Sequence, residues 1–286
     1  MNKKRVLIIG KNSYIGEHIK EYLTPLLYEV NEFDIKNKEL KKSDLVGINV
    51  VVHVAAIVHR KDITDYSKYE NINVKLPIKV AKLAKESNVQ QFIFLSSMSV
   101  YGISKSLKGN IIDENTKCNP KSLYGKSKYE AEKSLRLIES ENFRISIIRP
   151  ANVYGKNCKG NYISTFLKIT KLLPVLPNVY NNVKQGMIYI DNLCELIKII
   201  IDTNNRGIFP AQDAIGVSSI EIMKMICLKK NYKKKSSKLI GLPFLIFRIS
   251  LVNKLFGGVV YDAKYALNKI DNYQKVDFND GINKSI

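Results

Sequence analysis

The segment RVLIIGKNSYIGEHIKEYL, residues 5–23, sets the architecture of the chain. Its first part, residues 5–10, is a mostly apolar run that ends in Gly10, as a buried strand does. Its second part, residues 13–23, places three aliphatic side chains at the spacing of a helix. A strand, a glycine turn and a helix in this order predict the first half of a βαβ unit.

The same alternation continues through the first 155 residues. Further strands are predicted at 29–34, 49–56, 90–97 and 143–150, and helices at 76–88 and from Pro120, with Asn119 as its N-cap. The strands are almost continuously apolar, which is typical of parallel strands covered on both faces. The pattern predicts an α/β fold with a Rossmann-type, doubly wound parallel sheet.

The pattern loosens after Gly155. A loop rich in Pro and Asn (174–182) precedes a strand and helix within 186–202, and a helix is expected from Ser218 or Ser219 to about residue 229. We therefore expect a cofactor-binding domain at 1–155 and a smaller C-terminal substrate-binding lobe at 156–286. The strand and helix at 186–202 are expected to pack back on the first domain.

Composition and charge are those of a globular protein with an excess of lysine. The 286 residues are 45% hydrophobic and 25% charged, and the net charge is +20. The basic residues are mostly dispersed, which favours a compositional bias over a surface that binds polyanions. We expect no nucleic-acid partner, and an anionic small substrate suits either interpretation.

The chain shows no pattern typical of a secreted, membrane-spanning or metal-binding protein. The most apolar window, 239–258, is interrupted by Pro and basic residues, so an internal helix is favoured there. Peripheral membrane contact is the alternative, supported by the preceding run KKNYKKKSSK (229–238). The four cysteines are scattered and the three histidines, at 18, 53 and 59, do not converge with them, which predicts a cytoplasmic protein without disulfides or a metal site.

The turn GKNSYIG (10–16) is suited to a dinucleotide. Glycine lets the backbone approach a pyrophosphate, which a helix N-terminus stabilises, although Ser13 stands where a full three-glycine motif has its middle glycine. Asp34 follows the second strand, 18 residues after Gly16. A carboxylate at that point accepts hydrogen bonds from an adenosine ribose and repels a 2′-phosphate, so the prediction is NAD rather than NADP.

With these motifs in order, the chain resembles the NAD-dependent nucleotide-sugar epimerase/dehydratase family of the extended short-chain dehydrogenase/reductase superfamily. The resemblance covers about the first 200 residues. It is carried by GKNSYIG (10–16), Asp34, HVAA (53–56), Asn73, LSSMSVYG (95–102), YGKSK (124–128), RPANVYG (149–155) and MIYIDNL (187–193).

The resemblance implies a catalytic set of Tyr124, Lys128 and Ser97. Tyr124 would be the general base, and Lys128, one helical turn on, would favour its phenolate, since a free tyrosine titrates near ~10. Ser97 would hydrogen-bond the reacting hydroxyl. The implied cofactor-binding residues are Gly10, Ser13, Tyr14, Ile15, Gly16, Asp34, Ala55, Ala56, Asn73, Pro150 and Val153, and the implied substrate-binding residues are Asn152 and Lys184. Asp191 is expected to cap the helix that follows it.

The two residues after Ser97 limit which of the family's reactions is expected. In the family's 4,6-dehydratases an acidic pair stands there, whereas this chain has Met98 and Ser99. We therefore expect a 4-epimerase that acts on a nucleotide-sugar by transient oxidation at C4, with a UDP-hexose as the expected substrate. The alternatives are a ketoreductase or dehydrogenase on a nucleotide-linked sugar and a non-catalytic NAD-binding sensor. The family further implies a homodimer.

Overall fold

A computed structural model describes residues 3–58, 62, 64–158, 162–213, 216–240, 250–267, 270 and 272–286. His59 and the centre of the apolar window, 241–249, lie outside the described residues. The chain forms two compact units: unit 1 is Met1–Gly102, Lys117–Pro150 and Leu193–Pro210, and unit 2 is Ile103–Thr116, Ala151–Asn192 and Ala211–Ile286. Neither unit is one continuous stretch of sequence.

Strands and helices alternate along the first 155 residues as the apolar runs predict, and the two units together contain the following elements. The strands are β1 (Lys4–Ile9), β2 (Tyr28–Phe33), β3 (Val50–His53), β4 (Gln91–Leu95), β5 (Asn110–Ile112), β6 (Arg144–Pro150), β7 (Asn152–Tyr154), β8 (Leu176–Pro177), β9 (Met187–Tyr189), β10 (Gly207–Ala211), β11 (Ser236–Ser237) and β12 (Val259–Tyr261). The α-helices are α1 (Tyr14–Leu23), α2 (Tyr66–Tyr69), α3 (Leu76–Glu86), α4 (Leu123–Arg136), α5 (Tyr162–Leu172), α6 (Ile190–Thr203), α7 (Ser219–Lys229), α8 (Ser250–Phe256), α9 (Ala263–Leu267) and α10 (Phe278–Ser285).

The central sheet has six strands in the order β2–β1–β3–β4–β6–β10. The pairs β1–β2, β1–β3, β3–β4 and β4–β6 are all parallel. The chain leaves β1 to one side to form β2 and then crosses to the other side to form β3. Ligands of doubly wound sheets bind beyond the carboxyl ends of the strands at this point of reversal. The predicted fold class is confirmed, and the order locates the site near the ends of β1 and β3.

One face of the sheet is covered by α3 and α4. The buried cluster there combines strand residues Leu7, Ile9, Val51, Phe92, Phe94, Ile145 and Ile147 with helix residues Val80, Ala81, Ala84, Ala131 and Leu135. Burying aliphatic side chains from both layers removes apolar surface from water and holds α4 against β4 and β6.

Two predicted helix starts are wrong. The helix expected from Pro120 begins at Leu123, and its N-cap is Ser122, whose hydroxyl accepts a hydrogen bond from the Gly125 amide at 3.0 Å. Ser and Asn are equally good N-caps, so the local sequence does not determine which of Asn119 and Ser122 starts the helix. Asp191 lies in the first turn of α6 rather than at a cap, because that helix already begins at Ile190. An acidic residue there interacts favourably with the helix dipole.

Unit 2 contains three two-stranded pairs and the remaining helices. β7 pairs with β9, β5 with β12 and β8 with β11, each in parallel. α5 runs alongside α7, and the Tyr162 hydroxyl at the start of α5 lies 3.1 Å from Ser219 Oγ at the start of α7. The two helices are therefore parallel neighbours, and both end at the same end of the pair.

Candidate functional site

The turn after β1 is tight and depends on glycine. Gly10 has φ +128°, and a Cβ on it would lie 2.9 Å from the amide nitrogen of Ala55 at the end of β3. Asn12, with φ 61°, takes a second left-handed position that asparagine tolerates. A side chain at residue 10 would collide with the neighbouring strand end, so the close packing of this turn against the end of β3 requires glycine.

The N-terminus of α1 faces the same turn. Ser13 is its N-cap, and the hydroxyl accepts a hydrogen bond from the Gly16 amide at 3.1 Å. A Cβ on Gly16 would lie 2.6 Å from that oxygen, so a side chain there would displace the cap hydroxyl. Tyr14 and Ile15 are half-buried in the first turn. Amide groups at a helix start carry partial positive charge, which suits a pyrophosphate.

Asp34 directly follows β2 and is held by its own loop. One carboxylate oxygen accepts from the Lys36 amide at 3.2 Å and the other from Asn37 Nδ2 at 2.8 Å. The hydrogen bond from Asn37 is the main reason why the pKa of Asp34 is lowered. A carboxylate has about four lone-pair sites, so these two bonds leave acceptor capacity for ribose hydroxyls.

The structure brings Ser97 and Tyr124 together in unit 1. Ser97 caps the 3₁₀ helix Met98–Tyr101 and accepts from the Ser99 amide at 3.1 Å, and a hydrogen bond joins its side chain to that of Tyr124. Gly125 permits this approach, because a Cβ there would lie 2.5 Å from the Ser99 carbonyl oxygen. The sequence signal for Gly125 is present in YGKSK, but its packing role was not predicted.

Burial dominates the proton affinity of Tyr124. Tyr124 is 8% exposed, and burial raises its pKa to about 12, while the hydrogen bond with Ser97 lowers it and Tyr69 raises it slightly further. Tyr69 is a second buried phenol that sequence reasoning missed. Burial therefore keeps the Tyr124 phenol protonated at neutral pH, and the hydrogen bond with Ser97 acts in the opposite direction.

Lys128 is buried one turn further along α4. Its ammonium group donates to the Leu95 carbonyl oxygen at 2.7 Å and lies 4.4 Å from the centre of the Phe94 ring. Burial lowers the pKa of Lys128 to about 7, and the nearby Glu132 carboxylate raises it. The pKa shift of Tyr124 comes from burial, Ser97 and Tyr69, and the phenolate-favouring effect expected of Lys128 stays a prediction.

Asn73 links the segment after β3 to α4. It lies in the π-helical turn Glu70–Lys75, and its amide nitrogen donates to the Ile57 carbonyl at 2.9 Å and to Ser127 Oγ at 3.0 Å. Its oxygen accepts from the Ile57 amide at 2.8 Å. Both amide protons are therefore used inside the protein, and a direct contact of Asn73 with the cofactor stays a prediction.

A buried charged network between α4 and β6 was not predicted. Arg149 forms a two-point ion pair with Glu132, with Nε–Oε1 at 3.0 Å and Nη2–Oε2 at 2.6 Å, and donates through Nη1 to the Tyr101 hydroxyl at 2.8 Å. Ser96 donates to Glu132 as well. Burial lowers the pKa of Arg149, but Glu132 outweighs it and the pKa is raised overall.

The signal for this network lies in the helical spacing of α4. Its buried face consists of Tyr124, Gly125, Ser127, Lys128, Ala131, Glu132 and Leu135. Ala131 and Leu135 mark that face as inward, so a glutamate between them must be buried, and a buried glutamate requires a cationic partner.

His53, at the end of β3, is buried among aromatic rings. It is fully buried, and the rings of Phe92 and Phe94 lie 6.0 Å from its own. Burial, with the charge of Lys128 second, lowers its pKa to about 3. Within the described residues neither ring nitrogen has a hydrogen-bond partner. His53 is thus a neutral core residue at all ordinary pH values.

The other predicted residues lie at strand ends in their own units. In unit 1, Ala55 and Ala56 are half-buried after β3, and Pro150 is the buried last residue of β6. In unit 2, Val153 lies in β7 next to Asn152, whose amide donates to the Gly186 carbonyl at 2.8 Å. The Lys184 ammonium lies 2.7 Å from both carboxylate oxygens of Glu221. These contacts show how the side chains are held, and their ligand roles stay predictions.

The described residues contain neither a cluster of metal-binding side chains nor a membrane-spanning helix. In the part of the chain that the structure describes, no three side chains of His, Cys, Asp or Glu are grouped closely enough to hold a metal ion. The described helices include none with the length and apolarity required to cross a membrane. All four cysteines carry thiols rather than disulfides.

Comparison with known proteins gives a consistent result over most of the chain. The model of the family described as "NAD dependent epimerase/dehydratase family" matches residues 6–210. The UDP-glucose 4-epimerase of Vibrio cholerae is 29% identical over 89% of this chain and 83% of its own length. The N-acetyl-α-D-glucosaminyl-diphospho-ditrans,octacis-undecaprenol 4-epimerase of Escherichia coli O157:H7 is 28% identical over 93% of this chain and 83% of its own.

Solved structures share the fold. The UDP-glucuronic acid 4-epimerase of Bacillus cereus, solved in complex with NAD, has a TM-score of 0.72 at 18% identity, over 98% of this chain and 94% of that chain. At this level of identity the similarity concerns the course of the backbone, and it extends over both halves of the sequence.

Proposed function

The chain belongs to the NAD dependent epimerase/dehydratase family, and on that premise we propose that it is an NAD-dependent 4-epimerase of nucleotide-linked hexoses. The observation that carries the proposal is the hydrogen bond between the half-buried Ser97 and the buried Tyr124, with the buried Lys128 one helical turn away. The 3₁₀ helix that follows Ser97 begins with Met98 and Ser99 rather than with carboxylic acids. This favours reversible oxidation of an alcohol over elimination of water.

NAD is the cofactor, and the residues present fit it. Gly10 lies so close to Ala55 that position 10 cannot carry a Cβ, and we propose that the pyrophosphate lies against this turn. The N-terminus of α1 supplies amides for the phosphates, and the Asp34 carboxylate keeps acceptor sites for the adenosine ribose. We propose that Tyr14, Ile15, Ala56, Pro150 and Val153 complete the binding surface. When bound, NAD supplies a centre that accepts a hydride and returns it.

The protein's own groups would move the proton. Ser97 would hold the C4 hydroxyl of the sugar, and Tyr124 would take its proton as the bond to the ring carbon becomes a carbonyl. Burial raises the pKa of Tyr124 to about 12. A base of that strength must be stabilised as phenolate, and the Lys128 ammonium is the cation nearest in sequence on the same helix face. Asn152 and Lys184 are proposed to hold the diphosphate of the substrate.

A second candidate substrate is a hexose joined through a diphosphate to a polyprenol. The relative from E. coli O157:H7 carries such a compound in its name, and its similarity extends over 93% of this chain. Both substrate classes present a sugar next to a diphosphate, so the same catalytic residues suit either. The choice depends on what unit 2 accepts beyond the diphosphate.

The test is a product analysis with the purified full chain. The protein is incubated with NAD and a panel of UDP-hexoses, and in parallel with a polyprenyl-diphosphate hexose, and the products are identified by chromatography and NMR. Interconversion of C4 epimers without net NADH supports the proposal. A stoichiometric change in NADH would instead identify a dehydrogenase or reductase.

Tyr124→Phe provides the matched control, because it removes one hydroxyl and keeps the ring. We expect this variant to bind NAD and to lose epimerase activity by at least about a hundredfold, the lower end of the range for a general base. Full activity in the variant would overturn the assignment of Tyr124. Binding of NAD with no turnover of any sugar by the parent protein would favour a sensor.

We also propose that the protein is a cytoplasmic homodimer. The thiol state of all four cysteines is consistent with a reducing compartment. Light scattering after gel filtration should give twice the chain mass of 32.6 kDa, and a mass equal to one chain would contradict the dimer.

A further inference from the structure

One end of unit 2 combines exposed leucines with a cluster of lysines. We name it the basic end and define it by residues 171–172, 228–230, 233–235 and 238–239. Leu172, Leu228 and Leu239 are 81%, 80% and 81% exposed. Exposed leucines are common singly, but three at one end of a unit among lysines require an explanation.

The hydrogen bonds of unit 2 bring these segments together. The parallel pair α5 and α7 ends on one side, with Leu172 as the last residue of α5 and Leu228 in the last turn of α7. The Lys234 ammonium donates to the carbonyl oxygens of Lys171 and Leu173, at 2.9 and 2.6 Å. These bonds fix the loop that follows α7 to the end of α5.

The next strand extends the same surface. The amide of Tyr232 donates to the Cys227 carbonyl at 2.9 Å, which folds the loop back on the end of α7. β11 then pairs with β8, two residues before Leu239. All three exposed leucines therefore belong to segments that are bonded to one another within unit 2.

The charge of the basic end has one sign. Between residues 222 and 240 the sequence has seven lysines and no acidic residue, and α5 has none either. Glu221, at the opposite end of α7, is paired with Lys184. The helix α10, which also packs on α7, contributes Asp280, and the Lys230 ammonium donates to the Ile286 carbonyl oxygen. The positive charges of the other exposed lysines are not offset by acidic residues in the same helix or loop. These are Lys171, Lys229, Lys233, Lys235 and Lys238.

We infer that the basic end is a docking surface for an anionic lipid bilayer. Lysines attract the phosphates of anionic lipids, each contributing about fivefold in affinity near the surface, and leucines insert between the headgroups. A nucleic acid would use the lysines alone and leave the leucines in water. Charge and apolar side chains at one end thus favour a membrane. The inference does not depend on the proposed reaction.

The test is a vesicle flotation assay with the full chain. Vesicles of phosphatidylcholine alone are compared with vesicles that also contain phosphatidylglycerol, at low and high salt. We expect binding to the anionic vesicles only, weakened by salt because exposed charges are screened. Lys229→Gln, Lys233→Gln and Lys235→Gln together should reduce binding about a hundredfold, and Leu228→Ser with Leu239→Ser should reduce the part that survives salt.

The matched control carries the same loss of charge on exposed lysines of unit 1, by Lys41→Gln, Lys68→Gln and Lys133→Gln. Circular dichroism and turnover of a soluble substrate establish that each variant is folded. An equal loss of binding in the control would show that binding depends on the net charge of +20 and not on the basic end, and would overturn the inference. So would a failure of the parent to bind anionic vesicles, or binding to RNA but not to vesicles.

Discussion

Removing Glu132 should destabilise the protein strongly, although no ligand contact is proposed for it. Its side chain is 2% exposed and that of Arg149 is 6% exposed, and two hydrogen bonds of 3.0 and 2.6 Å join them. Glu132→Ala leaves the guanidinium buried without its carboxylate partner, beside the Tyr101 hydroxyl and the Cys118 thiol, and also frees Ser96. Breaking a buried ion pair from one side costs about 3–5 kcal/mol.

The effect is measured as the shift in the thermal unfolding midpoint. A loss of that size corresponds to a shift on the order of 10 °C in a protein of this length. Replacing both partners by methionine should cost less than Glu132→Ala, because no charge is then left without a partner. Glu39→Ala, which breaks an exposed 2.7 Å pair with Lys79, is the control and should leave the midpoint unchanged. If Glu132→Ala shifted the midpoint no more than Glu39→Ala, the reasoning from burial would be refuted.

Two further changes test other parts of unit 1. Burial lowers the pKa of Lys128 to about 7, below the unfolded value, so between about pH 7 and 10 the unfolded chain binds more protons and stability rises with pH. Lys128→Met should therefore gain most relative to the parent below pH 7, by roughly 5 kcal/mol, with the gain falling toward pH 10; denaturation at several pH values measures this, and a constant difference would contradict it. Gly102→Ala should cost roughly 2–4 kcal/mol, because φ is +66° and the added Cβ would lie 1.8 Å from the Asn119 carbonyl oxygen. Gly109→Ala, with φ +76° and open space, isolates the backbone cost and should be the milder change in a melting experiment.

The parts of the fold that sequence predicts are those encoded locally. The alternation of apolar strands and amphipathic helices, the turn at Gly10 and the acidic residue after β2 each depend on a few neighbouring residues. The start of α4 was mispredicted because Asn119 and Ser122 are equally good caps. A distant contact distinguishes them, since Asn119 donates its amide to the Tyr101 carbonyl at 3.4 Å and packs over Gly102.

The candidate site was predictable in its motifs and not in its environment. YGKSK identifies Tyr124 and Lys128, but a motif carries no information on burial, which sets the pKa of both side chains. The partner of Glu132 comes from β6, 17 residues along the chain. In the same way β5 pairs with β12, although nearly 150 residues separate them. Pairings between residues so far apart in the sequence can be identified only from the folded structure.

The route of the chain also limits how this enzyme could change in evolution or by engineering. It passes from one unit to the other five times, after residues 102, 116, 150, 192 and 210. A gene fusion with a single junction at residue 155 would separate β10 from β6, its neighbour in the central sheet. Exchange of one unit for another would require several junctions at once. New specificity is therefore more accessible through point mutations than through recombination of whole modules.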